Sequence, residues 1–119
     1  MVEPAANHAI RIKRVYLPPE AADGQRVLVD RLWPRGLGKA EARLSRWLPE
    51  AAPTPELRRW FGHDPVRWQE FRWRYEQELG RNPAVEELRE LARQGDLTLL
   101  YGAKDTVHNQ AVVLAEFLS

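Results

Sequence analysis

The chain predicts a small α/β domain of three layers, with a mostly parallel sheet flanked by helices. Three observations carry that prediction. Apolar stretches of strand length stand at 10–16, 26–30 and 97–101. Between the second and third of these, three segments each open on a capping residue followed by proline and stop at a glycine. Strands separated by helices need crossover connections, and crossovers make parallel neighbours.

Each element has its own reason. Residues 1–9 read as a flexible N-terminal tail, and 10–119 as a single domain. In 10–16, Ile10, Ile12 and Val15 alternate with polar residues, which suits a strand near a sheet edge. Pro18-Pro19 ends it and Asp23-Gly24 marks a turn. Val27, Leu28 and Val29 form an unbroken apolar run, the pattern of a strand covered on both faces, and Pro34 and Gly36 stop it. Thr54 caps a helix that begins at Pro55 and runs to Phe61, with Gly62 as its stop. Asp64-Pro65 opens a longer helix ending near Gly80, and Asn82-Pro83 opens another ending at Gly95. Asp105 or Thr106 is expected to cap a final helix, on which Val107, Ala111, Leu114 and Leu118 form a stripe facing the sheet.

Composition narrows the function classes. The 119 residues are 44% hydrophobic and 29% charged, with a formal net charge of +1. These are ordinary values for a globular chain. They show no positive excess of the kind a duplex-binding surface carries. Fifteen arginines against three lysines fit base composition better than phosphate binding, so nucleic acid is an unfavoured partner. Arginine–tryptophan neighbours (Arg59-Trp60, Arg67-Trp68, Arg72-Trp73-Arg74) could stack single-stranded bases, although helical spacing alone explains them. Trp68, Phe71, Tyr75 and Leu79 share one face of the long helix. Trp73 and Val66 lie on another, which either packs near Trp60 or forms a homodimer contact.

The sequence contains no cysteine, which removes disulfides, thiolate catalysis and cysteine zinc sites. Ser45 and Ser119 are its only serines and sit in no nucleophile elbow. Dinucleotide and P-loop fingerprints are missing, so no cofactor is expected. No HxH or HExxH spacing supports a metal held by His63 and His108. The first residues lack a signal-peptide pattern and no apolar run reaches bilayer length, so the expected location is the cytoplasm, with no membrane partner.

Two strand ends gather the chemistry. After 26–30 come Asp30, Arg31 and Arg35, with Trp33-Pro34 between them as a rigid apolar wall. Either Asp30 caps its loop and the arginines are solvated, or the group clamps an anion through charge-assisted bonds. Around the end of 97–101 stand Tyr101, Gly102, Lys104, Asp105, His108 and Asn109. Gly102 permits close approach of a ligand, and a helix start there would offer N–H groups to an anion. His63 precedes Asp64, whose first role is that of a cap.

The strings IRIKRVY, DGQRVLVDRLWPRGL, LSRWLPEAAPTPELRRWFGHDP, EFRWRYEQEL and LTLLYGAKDTVHNQAVVL together resemble the YeaO-like family, small bacterial proteins of unknown function. The resemblance spans about residues 10–118. It implies motif positions at Asp30, Arg31, Trp33, Pro34, Arg35, Gly36, Trp60, Phe61, His63, Asp64, Tyr101, Gly102, Lys104, Asp105, His108 and Asn109. Its broader superfamily places a cysteine at the end of the last strand and a Cys-His-Arg at the start of the last helix. Here those positions read Tyr101 and Val107-His108-Asn109, so thiol chemistry is not expected.

The expectation is a site for a small anionic or nucleotide-like ligand where the two strand ends meet. Arg31 and Arg35 would hold the anion, and Trp33 or Tyr101 would wall it. Gly102, Lys104, Asn109 and His63 are further binding candidates. Asp30, Asp105 or His108 would move a proton if there is catalysis.

Overall fold

The structure, a computed structural model, describes residues 8–119. The tail expected over 1–9 thus lies outside the described residues except for His8 and Ala9. The Ala9 N–H donates to the Asp96 carboxylate at 3.0 Å.

Four parallel strands form one sheet in the order β1-β4-β2-β3. They are β1 (Ile10–Arg14), β2 (Gln25–Leu28), β3 (Arg46–Trp47) and β4 (Leu97–Tyr101). β1 is an edge strand, as its alternation predicts. β4, last in sequence, lies between β1 and β2, with Leu99 opposite both Ile12 and Val27. β3 is two residues long, too short to leave a periodic trace in the sequence.

The three capped helices form where their start and stop signals stand. Thr54 caps α2 (Pro55–Phe61), accepting from the Leu57 N–H, and Gly62 ends it at φ 53°. Asp64 caps a 3-10 turn (Pro65–Arg67) that leads into α3 (Trp68–Leu79). Asn82 caps α4 (Pro83–Gln94). A one-turn helix, α1 (Lys39–Ala42), precedes them.

The last helix differs from its expected start. α5 runs Gln110–Leu118 and its cap is Asn109, whose side chain accepts from the Val112 N–H. Asp105 instead closes an isolated turn, accepting from the N–H groups of Val107 and His108. Those two bonds imitate a cap, but the extended backbone of Asn109 (φ −142°) breaks the path before the helix begins. Val107 therefore leaves the sheet-facing stripe and is exposed, whereas Ala111, Leu114 and Leu118 are buried.

The two faces of the sheet are unlike. On one, Val27, Val29, Leu97, Leu99 and Tyr101 pack against α2–α5 in the main core with Phe61, Phe71 and Tyr75. On the other, a thin layer of α1 and loops covers a small cluster of Val15, Leu28 and Leu100. Beside that cluster lies a buried ion network. Asp23 and Arg26 are each 5% exposed and meet at 2.6 Å, and Lys13 reaches Asp23 at 3.0 Å. The Asp23 carbonyl accepts from Thr98 Oγ1 at 2.7 Å, which fastens the β1–β2 connection across β4. Burial of Asp23 works against its charge, but bonds from the Glu20 N–H, Lys13 and Arg26 outweigh it and hold its carboxyl below the ordinary range.

The second apolar face of the long helical segment stays open to solvent: Val66 is 90% exposed and Trp73 61%. Trp60 lies instead under the guanidinium groups of Arg67 and Arg74. Among the described residues no helix is long and apolar enough to cross a membrane.

Candidate functional site

β2 and β4 are neighbours, yet from β2 the chain passes on to β3 on one side, while from β4 it enters α5, which packs on β4 and on β1 at the other side. Such a switch in a parallel sheet opens a crevice at the carboxyl ends of the strands. A cavity of about 430 Å³ occupies that place, within the size range of small-molecule sites.

Asp30, two residues beyond β2, is the joint of the crevice. One carboxylate oxygen accepts from the Gly102 N–H at 3.0 Å, and the other from Gln110 Nε2 at 2.6 Å. Its carbonyl accepts from Trp47 Nε1 at 2.8 Å. Three strand ends and the start of α5 thus converge on one residue. Burial pushes the Asp30 carboxyl above its ordinary value, against the hydrogen bonds of Gln110 and Gly102 and the charges of His63 and Arg58, which favour ionisation.

Gly102 is required by this approach. A Cβ there would sit 2.9 Å from the Asp30 carboxylate and 3.4 Å from Pro34. Gly102→Ala is expected to displace Asp30 and cost about 1–3 kcal/mol, measured by urea unfolding, with loss of whatever binding the cavity supports.

The walls divide by chemistry. Trp33, Pro34, Phe61, Phe71 and Ala103 supply apolar surface. Trp33 is held by its Nε1 bond to the Leu37 carbonyl at 2.9 Å and by an edge-on contact with Trp47. The charged lining among the described residues is Arg31, Arg35, Arg58, His63 and, as the one carboxylate among them, Asp30. Arg31 spends its guanidinium on the carbonyls of Ala52 and Pro53 at 3.1–3.3 Å; it braces the loop against the entry to α2. Arg35, Arg58 and His63 carry no side-chain hydrogen bond or ion pair among the described residues. His63 also has a left-handed backbone, φ 57°, a conformation that costs a non-glycine residue about 1–2 kcal/mol and that clusters at functional sites.

The residues after β4 separate. Gly102 and Asn109 line the cavity. Tyr101 is buried in the main core, where burial raises its hydroxyl's pKa, and it forms no part of the wall. Lys104 is exposed and outside the lining. Asp105 and His108 form their own pair, with His108 Nδ1 2.9 Å from the Asp105 carboxylate and the imidazole edge-on to Trp68. The N–H of His108, then that of Val107, then the His108 ring hold the Asp105 carboxyl down at about 2. Of the three proton-carrier candidates, only Asp30 faces the cavity. No group of three His, Cys, Asp or Glu side chains among the described residues could hold a metal ion.

Arg58, Gln110, Tyr16 and Phe71 also line the cavity, although the sequence does not single them out for it. Arg58 had a legible signal, since it precedes Phe61 by three residues and shares its side of α2. Gln110 had none, because its role follows from where α5 begins.

A family model described as the inactive DUF488-N3 subclade matches residues 9–119. The chain belongs to this DUF488-N3i, YeaO-like family. Uncharacterized protein YeaO of Escherichia coli (strain K12) is 46% identical over 110 residues, covering 92% of this chain and 96% of that protein. Uncharacterized protein Rv3073c of Mycobacterium tuberculosis (strain ATCC 25618 / H37Rv) is 41% identical over 110 residues, 92% of this chain and 93% of its own length. No solved structure matches. In this DUF488-N3i chain the end of β4 is the buried Tyr101, so the position next to the crevice carries a phenol held in the core.

Proposed function

We propose that this protein binds a small anionic ligand, of nucleotide size or smaller, in the cavity at the ends of β2 and β4. The observation that carries the reading is the imbalance of the lining: among the described residues, Arg35, Arg58 and His63 bring uncommitted nitrogen donors to a cavity with one carboxylate. Charge-assisted bonds from arginine to phosphate or carboxylate contribute about 1.5–3 kcal/mol each. Binding is favoured over turnover, because, of the proton-carrier candidates Asp30, Asp105 and His108, only Asp30 faces the cavity, and the matching family model is described as inactive.

Thermal-shift titration with inorganic phosphate, AMP and citrate tests the proposal. A ligand present at 100 times its Kd stabilises by about 2.7 kcal/mol, a rise of about 10 °C for a chain of this length. Arg58→Ala and Arg35→Ala are each expected to weaken binding at least tenfold, by about 1.5 kcal/mol or more. No shift with any of the three, or an undiminished shift in the double variant, overturns the reading.

The nucleic-acid alternative draws less support. Arginines that alternate with tryptophans on α3 are paired with acids: Arg72 with Glu116 and Glu76, and Arg74 with Glu70.

A further inference from the structure

The cavity holds a contradiction for a simple anion. Asp30 sits among its cations, and among the described residues neither carboxylate oxygen meets a cation within hydrogen-bond distance; their partners are the neutral Gly102 N–H and Gln110 amide. A carboxylate has about four acceptor positions, and two of the four are filled. An oxyanion without a hydroxyl, such as a simple carboxylate or the dianion of a phosphate monoester, would be drawn in by Arg35 and Arg58 and meet the charge of Asp30 with no hydrogen to donate to it. An ammonium group would satisfy Asp30, but the same arginines oppose its entry. A neutral hydroxyl donor meets both demands, and the apolar wall of Trp33 and Phe61 can take the C–H face of a carbon skeleton.

We infer that the occupant is a hydroxylated anion, of the sugar-phosphate or hydroxy-acid class, with one hydroxyl donating to Asp30 while its anionic group lies toward Arg35 and Arg58. This rests on the anion-binding reading and adds a second point of recognition to it. Burial keeps Asp30 reluctant to ionise, in line with a carboxylate that has no cation in hydrogen-bond contact and gains from a donor.

Two matched pairs of probes decide the matter by calorimetry on the full chain at mildly alkaline pH: ribose 5-phosphate against methyl phosphate, and glycolate against acetate. The expected result is a preference of at least about tenfold for the hydroxylated member of one pair, and which pair shows it identifies the anionic group. In Asp30→Asn that preference should shrink while the hydroxyl-free members, methyl phosphate and acetate, bind more tightly, since a negative charge has gone. Equal binding of both members of each pair overturns this inference and leaves anion binding standing. A preference that persists undiminished in folded Asp30→Asn also overturns it, since the hydroxyl is then read elsewhere. Should Asp30→Asn fail to fold, the parent protein's preference decides alone. Binding of none of the four overturns the anion reading itself, and this inference with it.

Discussion

Asp23→Ala is expected to destabilise the protein by about 3–5 kcal/mol, the usual cost of removing one partner from a buried ion pair. For a chain of this length that lowers the melting temperature by about 12–20 °C. The physical reason is what remains. Arg26, 5% exposed, keeps its bonds to the Ala42 and Arg43 carbonyls but loses its counter-ion. Lys13 retains only the exposed Glu20 and the Pro18 carbonyl. Asp23→Asn, which keeps the shape, should recover part of the loss. A melting point within about 3 °C of the parent's would show that the network carries no net stability.

The same network sets a pH signature. The folded-state pKa of Asp23 is lowered, so its contribution is complete above the ordinary value of 3.8 and disappears as pH falls below it. Lys13 is raised despite burial, by bonds to Asp23 and Glu20, so its contribution is complete below 10.5 and disappears as pH climbs past that value. The contribution of the network should therefore be flat in between and fall at both ends, and Asp23→Ala should lessen the alkaline fall, of which the raised hydroxyls of the buried Tyr75 and Tyr101 keep the rest. Part of the acid fall persists in the variant because Asp105, held down at about 2, contributes its own. Urea unfolding at intervals from pH 2 to 11 reads both limbs.

Phe71→Ala is the second large effect, at about 3–5 kcal/mol. Phe71 stacks on Phe61 at 4.2 Å between centroids and touches Trp68 and Tyr75, and it also lines the cavity. Its loss should weaken anion binding although it carries no charge, because Phe61 then loses the ring that backs the α2 segment bearing Arg58. Trp73→Ala on the same helix is the control. At 61% exposure it should cost no more than about 0.5 kcal/mol. Equal losses for the two would mean that the open face of α3 is covered in solution.

What the sequence made legible follows from the range of the physics involved. Caps and stops are local, so Thr54, Asp64, Asn82 and their glycines located three helices. Strand runs are local too, and the meeting of the 26–30 and 97–101 ends was readable from parallel-sheet logic. Asp105 shows the limit of local reading, since its side chain makes a cap's bonds without starting a helix. Asp23 shows another: in sequence it is half of a turn signal, and only the crossing over β4 makes it the centre of an ion network. At the site, Asp30, Arg35, Trp33, Gly102, Asn109 and His63 were named from the chain. The different fates of Arg31, Tyr101, Lys104 and His108 depend on which way each side chain leaves its loop, and that is set by packing.

The position of β4 carries a consequence for how the protein comes into being. β1 and β2 do not touch each other in the sheet; both wait for residues 97–101. During synthesis most of the chain must therefore emerge before β1 and β2 can be joined in one sheet. Closing contacts that distant in sequence is slow and leaves strand edges exposed meanwhile. The crevice is also a late product: until β4 arrives, the carboxylate of Asp30 has no Gly102 N–H to meet. Assembly of the sheet and completion of the pocket are one event.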